Sequence, residues 1–200
     1  MKLVLDAAAY AYLGEDAAID HEHPLIQQIA ADLLHTGGGS DEGFAQAAFE
    51  YVRDEIRHSM DAGDSEVTWR ASDVLEKRTG LCYAKSHAYV ALLRAAGVPA
   101  GLCYQRLSMD EGGFALHGLT AVCLDGVWTR QDPRGDRPGV HTEFAPVGEW
   151  LAYEVRPAAG EVDYPTVYAA PHPAVLSVLR SWDDCQALCD GHLPAELENP

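Results

Sequence analysis

Basic residues are scarce in this chain: 14 Lys and Arg stand against 31 Asp and Glu, a formal charge of −17. A phosphate-backbone binder needs basic patches to displace counterions, so nucleic acid is excluded as a partner. An anionic membrane surface is excluded for the same reason. No apolar run approaches membrane-spanning length. The start, Met1-Lys2-Leu3-Val4-Leu5-Asp6, meets an acid before a signal-peptide core can form, and no Arg-rich transit segment follows. The expected location is therefore the cytoplasm, with thiols reduced. Cysteine comes as an odd count of five, which rules out a fully paired disulfide framework within one chain. Internal repeats, low-complexity tracts and long Pro/Gly/Ser linkers are also missing, so residues 1–200 read as one domain. A chain of 200 residues buries roughly 70% of its unfolded surface, enough to fold without a disulfide or a metal.

Helical periodicity dominates the first half. Pro24 opens a pattern in which Leu25, Ile26, Ile29, Ala30, Leu33 and Leu34 share a face, and Gly37-Gly38-Gly39 stops it. Ser40 is the expected N-cap of a second helix, with Asp41 and Glu42 at its positive end and Phe44, Ala47, Ala48, Tyr51, Val52 and Ile56 on its apolar face. Ser72 is the expected cap of a short third helix ending at Thr79-Gly80. A fourth begins near Cys82, runs to Ala95 and is closed by Gly97 and Pro99. The period then changes. Val98–Leu107 and Leu116–Leu124 read as strands, and Asp125-Gly126 is a two-residue hairpin signal leading into Val127–Gln131. After a proline-rich stretch, Pro173 starts a last amphipathic helix expected to reach Leu188. Helices, then an antiparallel sheet, then a closing helix make the fold class α+β.

Cys82 leads its helix just behind Gly80, where unpaired N–H groups and the helix dipole favour thiolate. A thiolate nucleophile needs a base, and the base needs a group to orient it. A two-residue turn at Asp125-Gly126 makes facing residues sum to 251, so Asp132 faces Leu119. Leu119 points to the same side as His117. His117 and Asp132 thus become diagonal neighbours on one sheet face, roughly 7–8 Å apart at the backbone.

The segments Arg70–Leu75, Thr79-Gly80-Leu81-Cys82 and Tyr89–Ala100, with the lead-in Phe49–Ile56, resemble the transglutaminase-like superfamily over about residues 44–137. There a Gly-x-Cys element opens the nucleophile helix, a strand carries His, and the next strand ends in Asp-Pro, matched here by His117 and Asp132-Pro133. The resemblance implies a papain-like transglutaminase core, with the nucleophile helix packed on an antiparallel sheet and flanked by helices. Residues 44–137 would form that core, 1–43 a helical or strand lead-in and 138–200 a closing loop and helix. Many members continue from the histidine into Ala-Trp, whereas this chain reads His117-Gly118-Leu119.

By the resemblance Cys82, His117 and Asp132 form a triad for acyl transfer through a thioester, with hydrolysis of a peptide or other amide bond as the expected reaction. Amine cross-linking and arylamine acetyl transfer use the same triad logic, and a non-catalytic binding domain could keep the same fold. The Cys82 N–H is the first oxyanion donor expected at a helix start. Gln105 and Trp69 are candidates for the second, and Tyr83 and Tyr104 for the acyl pocket. No cofactor and no metal are expected, calcium included, since the acidic loop Asp61, Asp64, Glu66 lacks an ordered ligand pattern. Cys185, Cys189 and His192 supply only three soft ligands, short of a structural zinc site. Cys103 and Cys123 read as core thiols, and His87 lies on a different helix face from Cys82. The expected partner is a peptide, protein or small amide, neutral or cationic because the chain is acidic.

Overall fold

A computed structural model of the chain describes residues 1–110 and 112–197; residues 198–200 of the expected closing region lie outside it. In chain order the elements are β1 (Val4–Leu5), α1 (Pro24–Thr36), α2 (Asp41–Glu55), β2 (Arg57–His58), α3 (Ser59–Ala62), α4 (Ala71–Lys77), β3 (Thr79–Gly80) and α5 (Cys82–Ala95). The second half contains β4 (Ala100–Ser108), β5 (Phe114–Leu124), β6 (Val127–Gln131), β7 (Val162–Asp163), β8 (Thr166–Val167), α6 (Pro173–Ser181) and α7 (Cys185–Cys189). The fold is α+β and papain-like, as expected.

The central element is α5. From Cys82 to Arg94 every residue is buried, because α1, α2 and α4 surround one side and β4 and β5 the other. Ala84, Ala88 and Ala91 let those neighbours approach closely. A helix buried on all sides is normally apolar throughout, yet α5 carries Lys85, His87 and Arg94. Each is tied to backbone oxygen, as burial demands. Lys85 Nζ donates to Ile56 O at the end of α2. His87 Nδ1 lies 2.7 Å from Trp69 O. Arg94 donates to Gly14 O, Ala100 O and Ala169 O, at 2.6, 2.8 and 2.6 Å. The central helix thereby fastens segments from both ends of the chain.

The main sheet is antiparallel with strand order β6-β5-β4-β7. Asp125 and Gly126 both have positive φ, 49° and 77°, as the favoured two-residue hairpin requires. Leu124 faces Val127 and Thr120 faces Gln131, the register derived from the turn. Two short parallel pairs complete the fold: β1 with β8, and β2 with β3. The second matters for the site. Arg57 and His58 hold Thr79 and Gly80 and so fix the chain immediately before Cys82.

Two local expectations change. Ser72 is not a cap but lies inside α4. The capping acceptor is Asp20, whose carboxylate takes the Ser72 N–H at 3.1 Å and its hydroxyl, so a residue far away in sequence does what the local serine was expected to do. The closing helix is two helices, α6 and α7, interrupted at Trp182–Asp184. Asp184 caps α7 through the Ala187 N–H at 2.9 Å, while the Cys185 N–H is drawn to Ser65 O. Among the described residues no helix is long and apolar enough to cross a membrane.

Arg94→Met would leave the buried Ala100 carbonyl and the half-buried Gly14 and Ala169 carbonyls without their charged donor; it should lower unfolding stability by about 3 kcal/mol or more, read by urea denaturation.

Candidate active site

The site forms where β5 meets the start of α5. Continuing the β5–β6 register would set Gly118 opposite Pro133. A proline has no N–H to return to the Gly118 carbonyl, and the ladder stops short of this pair, at Gln131. The Gly118 N–H, released from pairing, donates instead to Cys82 Sγ at 3.4 Å. Only a glycine permits that approach. A Cβ at position 118 would lie 2.9 Å from the Tyr83 ring and 3.0 Å from Tyr83 Cα.

His117, one residue earlier, hydrogen-bonds Asp132 through Nε2 at 2.8 Å. Asp132 is fully buried, His117 is 4% exposed and Cys82 8%. The Asp132 carboxylate takes two further backbone N–H groups, Arg134 at 3.2 Å and Ala152 at 2.9 Å. Burial alone would raise its pKa; the charge and hydrogen bond of His117 and those two N–H groups lower it. For His117 burial favours the neutral ring, but the charges of Asp132 and Cys82 and hydrogen bonds to both raise it to about 10. The imidazole is therefore the charged partner at neutral pH. Tyr153 stands edge-on to it, with ring centroids 5.0 Å apart at 89°.

The structure thus brings together Cys82, His117 and Asp132. Gln105 is the direct cross-strand neighbour of His117; its side chain is buried, and its Oε1 has no hydrogen-bond partner. Tyr83 lies beneath Gly118 and gives its hydroxyl to Leu116 O. Tyr104 packs between Tyr168 and His172 and accepts the His172 N–H at 3.1 Å. Both tyrosine hydroxyls are engaged inside the fold. Trp69 lies under Arg70 and Arg180, each 5.1 Å from the ring, and its carbonyl lies 2.7 Å from His87 Nδ1. His192 stacks on Trp182 at 4.6 Å. Among the described residues no group of three or more His, Cys, Asp or Glu is arranged to hold a metal ion.

Sequence reasoning missed Ala152, Tyr153 and the Arg134 N–H. All three lie in irregular chain after β6, where no periodicity or turn rule predicts a contact with Asp132. Gly118 was visible as a departure from Ala-Trp, but its reason lies in the helix it touches.

The model of the transglutaminase-like superfamily matches residues 27–133, more than half of the chain. This chain belongs to that superfamily. Several solved structures are similar to it in part. A candidate cysteine protease from Cytophaga hutchinsonii is 16% identical, with 64% of this chain covering 43% of that one at a TM-score of 0.49. The periplasmic domain of TgpA from Pseudomonas aeruginosa is 20% identical, over 62% of this chain and 48% of that one, at 0.46. A structure described as a TGase is 19% identical, over 80% of this chain and 44% of that one, at 0.46. The chain spans less than half the length of each. No curated protein has significant sequence similarity to it.

Within this transglutaminase-like site two outcomes are expected. Gly118→Ala should push β5 off the start of α5, costing about 1–3 kcal/mol as overpacking does and slowing alkylation of Cys82. The second concerns pH. Because His117 is raised above its unfolded value near 6.5 to about 10, the stability it contributes is complete below about 6.5. It is lost as pH rises through about 10. Lys85, lowered by burial to about 7, has the opposite slope over part of that window. The difference between the unaltered chain and His117→Gln isolates the histidine in urea unfolding, and it should shrink from pH 6 to 10.5.

Proposed function

We propose that the chain is a thiol-dependent acyl-transfer enzyme that hydrolyses a peptide or other amide bond. The observation that carries this reading is the fully buried Asp132, held by two backbone N–H groups and hydrogen-bonded to His117, one residue from the Gly118 N–H that reaches Cys82 Sγ. A solvated structural pair would not need so many donors on one carboxylate.

In the proposed cycle the Cys82 thiolate attacks the amide carbonyl carbon, forming a C–S bond. Charge developing on the carbonyl oxygen is taken by the Cys82 N–H, one of the first-turn donors that a helix leaves without an internal acceptor. The His117 imidazolium gives its proton to the departing nitrogen as the C–N bond breaks, leaving a thioester and a neutral imidazole. Water then loses a proton to His117 and attacks the thioester. The C–S bond breaks, the acid leaves, and the ion pair is restored. Asp132 holds the ring through Nε2 throughout, so Nδ1 is the nitrogen that serves the sulfur and the leaving group. Gln105, buried beside His117 with an unused carbonyl, supports a role in gripping the substrate amide, with its NH2 as the second oxyanion donor. The formal charge of −17 favours neutral or cationic substrates at encounter.

The test is alkylation followed by peptide mapping. Cys82 should be modified by iodoacetamide ahead of the other four cysteines. Burial pushes Cys103 up to about 12 and raises Cys123, and Cys185 is fully buried. Asp132→Asn should reduce amide hydrolysis by a factor of about 10³–10⁴ while the chain stays folded. Equal labelling of Cys82 and Cys103 would remove the nucleophile from the reading.

A further inference from the structure

The Pro133 break that frees Gly118 also leaves the neighbouring edge of β5 without a strand. The peptide groups of Leu116 and Gly118 face this edge, since successive residues of a strand alternate sides. An open strand edge is a template for pairing. Here it carries three occupants in a row. The Gly118 N–H goes to Cys82 Sγ. Leu116 O is taken by the Tyr83 hydroxyl. The Leu116 N–H donates to Pro194 O at 2.7 Å. Pro194 belongs to a segment that follows α7, so a distant piece of chain lies against the residue preceding His117.

That segment is anchored on both sides. Before it, His192 stacks on Trp182 and Leu193 packs on the main core. After it, the Leu197 N–H reaches the Tyr164 hydroxyl at 3.4 Å. The preceding helix α7 packs against α3, next to β2. Cys189 on α7 has its thiol pushed up first by its hydrogen bond with Cys185, then by burial and by the charges of Cys185 and Cys82. The chain from α7 to Leu197 therefore passes from the β2–β3 pair, which holds Gly80, to the β5 edge, and Cys82 lies between.

We propose that the β5 edge from Phe114 to Gly118 is the docking site of an extended peptide substrate, bound by strand addition, and that residues 193–197 occupy it in this structure. The proposal rests on the reading of Cys82 as nucleophile and narrows its substrate from amides in general to extended polypeptide. Backbone pairing supplies affinity without demanding a sequence. Pairing at Leu116 sets the peptide alongside His117 and within one ladder position of the Gly118 N–H that touches Cys82. The segment Leu193-Pro194-Ala195-Glu196-Leu197 suits an internal occupant, because Pro194 offers its carbonyl while having no N–H to be left unpaired.

The experiment compares the full chain with Leu193→Ser/Leu197→Ser, reading amide exchange at Leu116 and iodoacetamide modification of Cys82. Loosening the segment should speed Leu116 exchange and raise Cys82 alkylation by about tenfold, the size of effect expected when a closed local state is shifted toward an open one. The capped peptide Leu-Pro-Ala-Glu-Leu, added in trans, should slow both again. A second measurement covers a variant that does not fold. In the Cys82→Ser chain with its own segment intact, saturating peptide should speed exchange at Leu197 while Leu116 stays protected. Fast Leu116 exchange with unchanged Cys82 alkylation, or a Leu197 amide that the peptide leaves protected, overturns the docking site and leaves the nucleophile reading standing. A Cys82 inert to alkylation in both chains removes the nucleophile reading, and the proposal with it.

Discussion

One contact governs this molecule: the approach of strand β5 to the first turn of α5, where the Gly118 N–H meets the Cys82 sulfur. Each partner to the contact is supplied by a different physical constraint. The helix start is held by the parallel β2–β3 pair, which clamps Thr79 and Gly80 to the end of α2. The strand is free at that point because Pro133 cannot extend the ladder. The two can touch because position 118 has no Cβ. Remove any of these and the sulfur and the imidazole part, since the backbone of His117 is carried by the same strand as Gly118.

Around this contact the charges are arranged so that a costly burial becomes favourable. A histidine and an aspartate this deeply buried would each shift toward its neutral form if alone. Together, and with two backbone N–H groups on Asp132, both are held charged. The N–H donors come from irregular chain after β6, which supplies the remaining partners of the Asp132 carboxylate. The same logic runs along α5, where the burial of Lys85, His87 and Arg94 is offset because each reaches backbone oxygen from another element. The helix that carries Cys82 is thus also the hub on which the fold is assembled.

Much of the fold was legible. Cys82–Ala95, the Asp125-Gly126 turn and the β5–β6 register followed from short-range rules, because capping, turn geometry and strand alternation act over a few residues. The pairing of His117 with Asp132 followed from the register alone, since a two-residue turn leaves no freedom in what faces what. Ser72 shows where local rules stop. Its sequence context matches a cap, but Asp20 accepts the N–H of Ser72 itself from across the chain, and Ser72 lies inside the helix.

The residues therefore determined by themselves the α+β class, the family, and the facing of His117 and Asp132, because these depend on periodicity, motif spacing and one tight turn. Only the tertiary structure decided which groups surround them. Gly118 against Tyr83, Ala152 and Arg134 on Asp132, and Pro194 on Leu116 are contacts between segments separated by many residues of irregular chain. Irregular chain has no period to extrapolate. Its path is set by which buried polar groups still need a partner once helices and strands have packed, and that need exists only in the folded molecule.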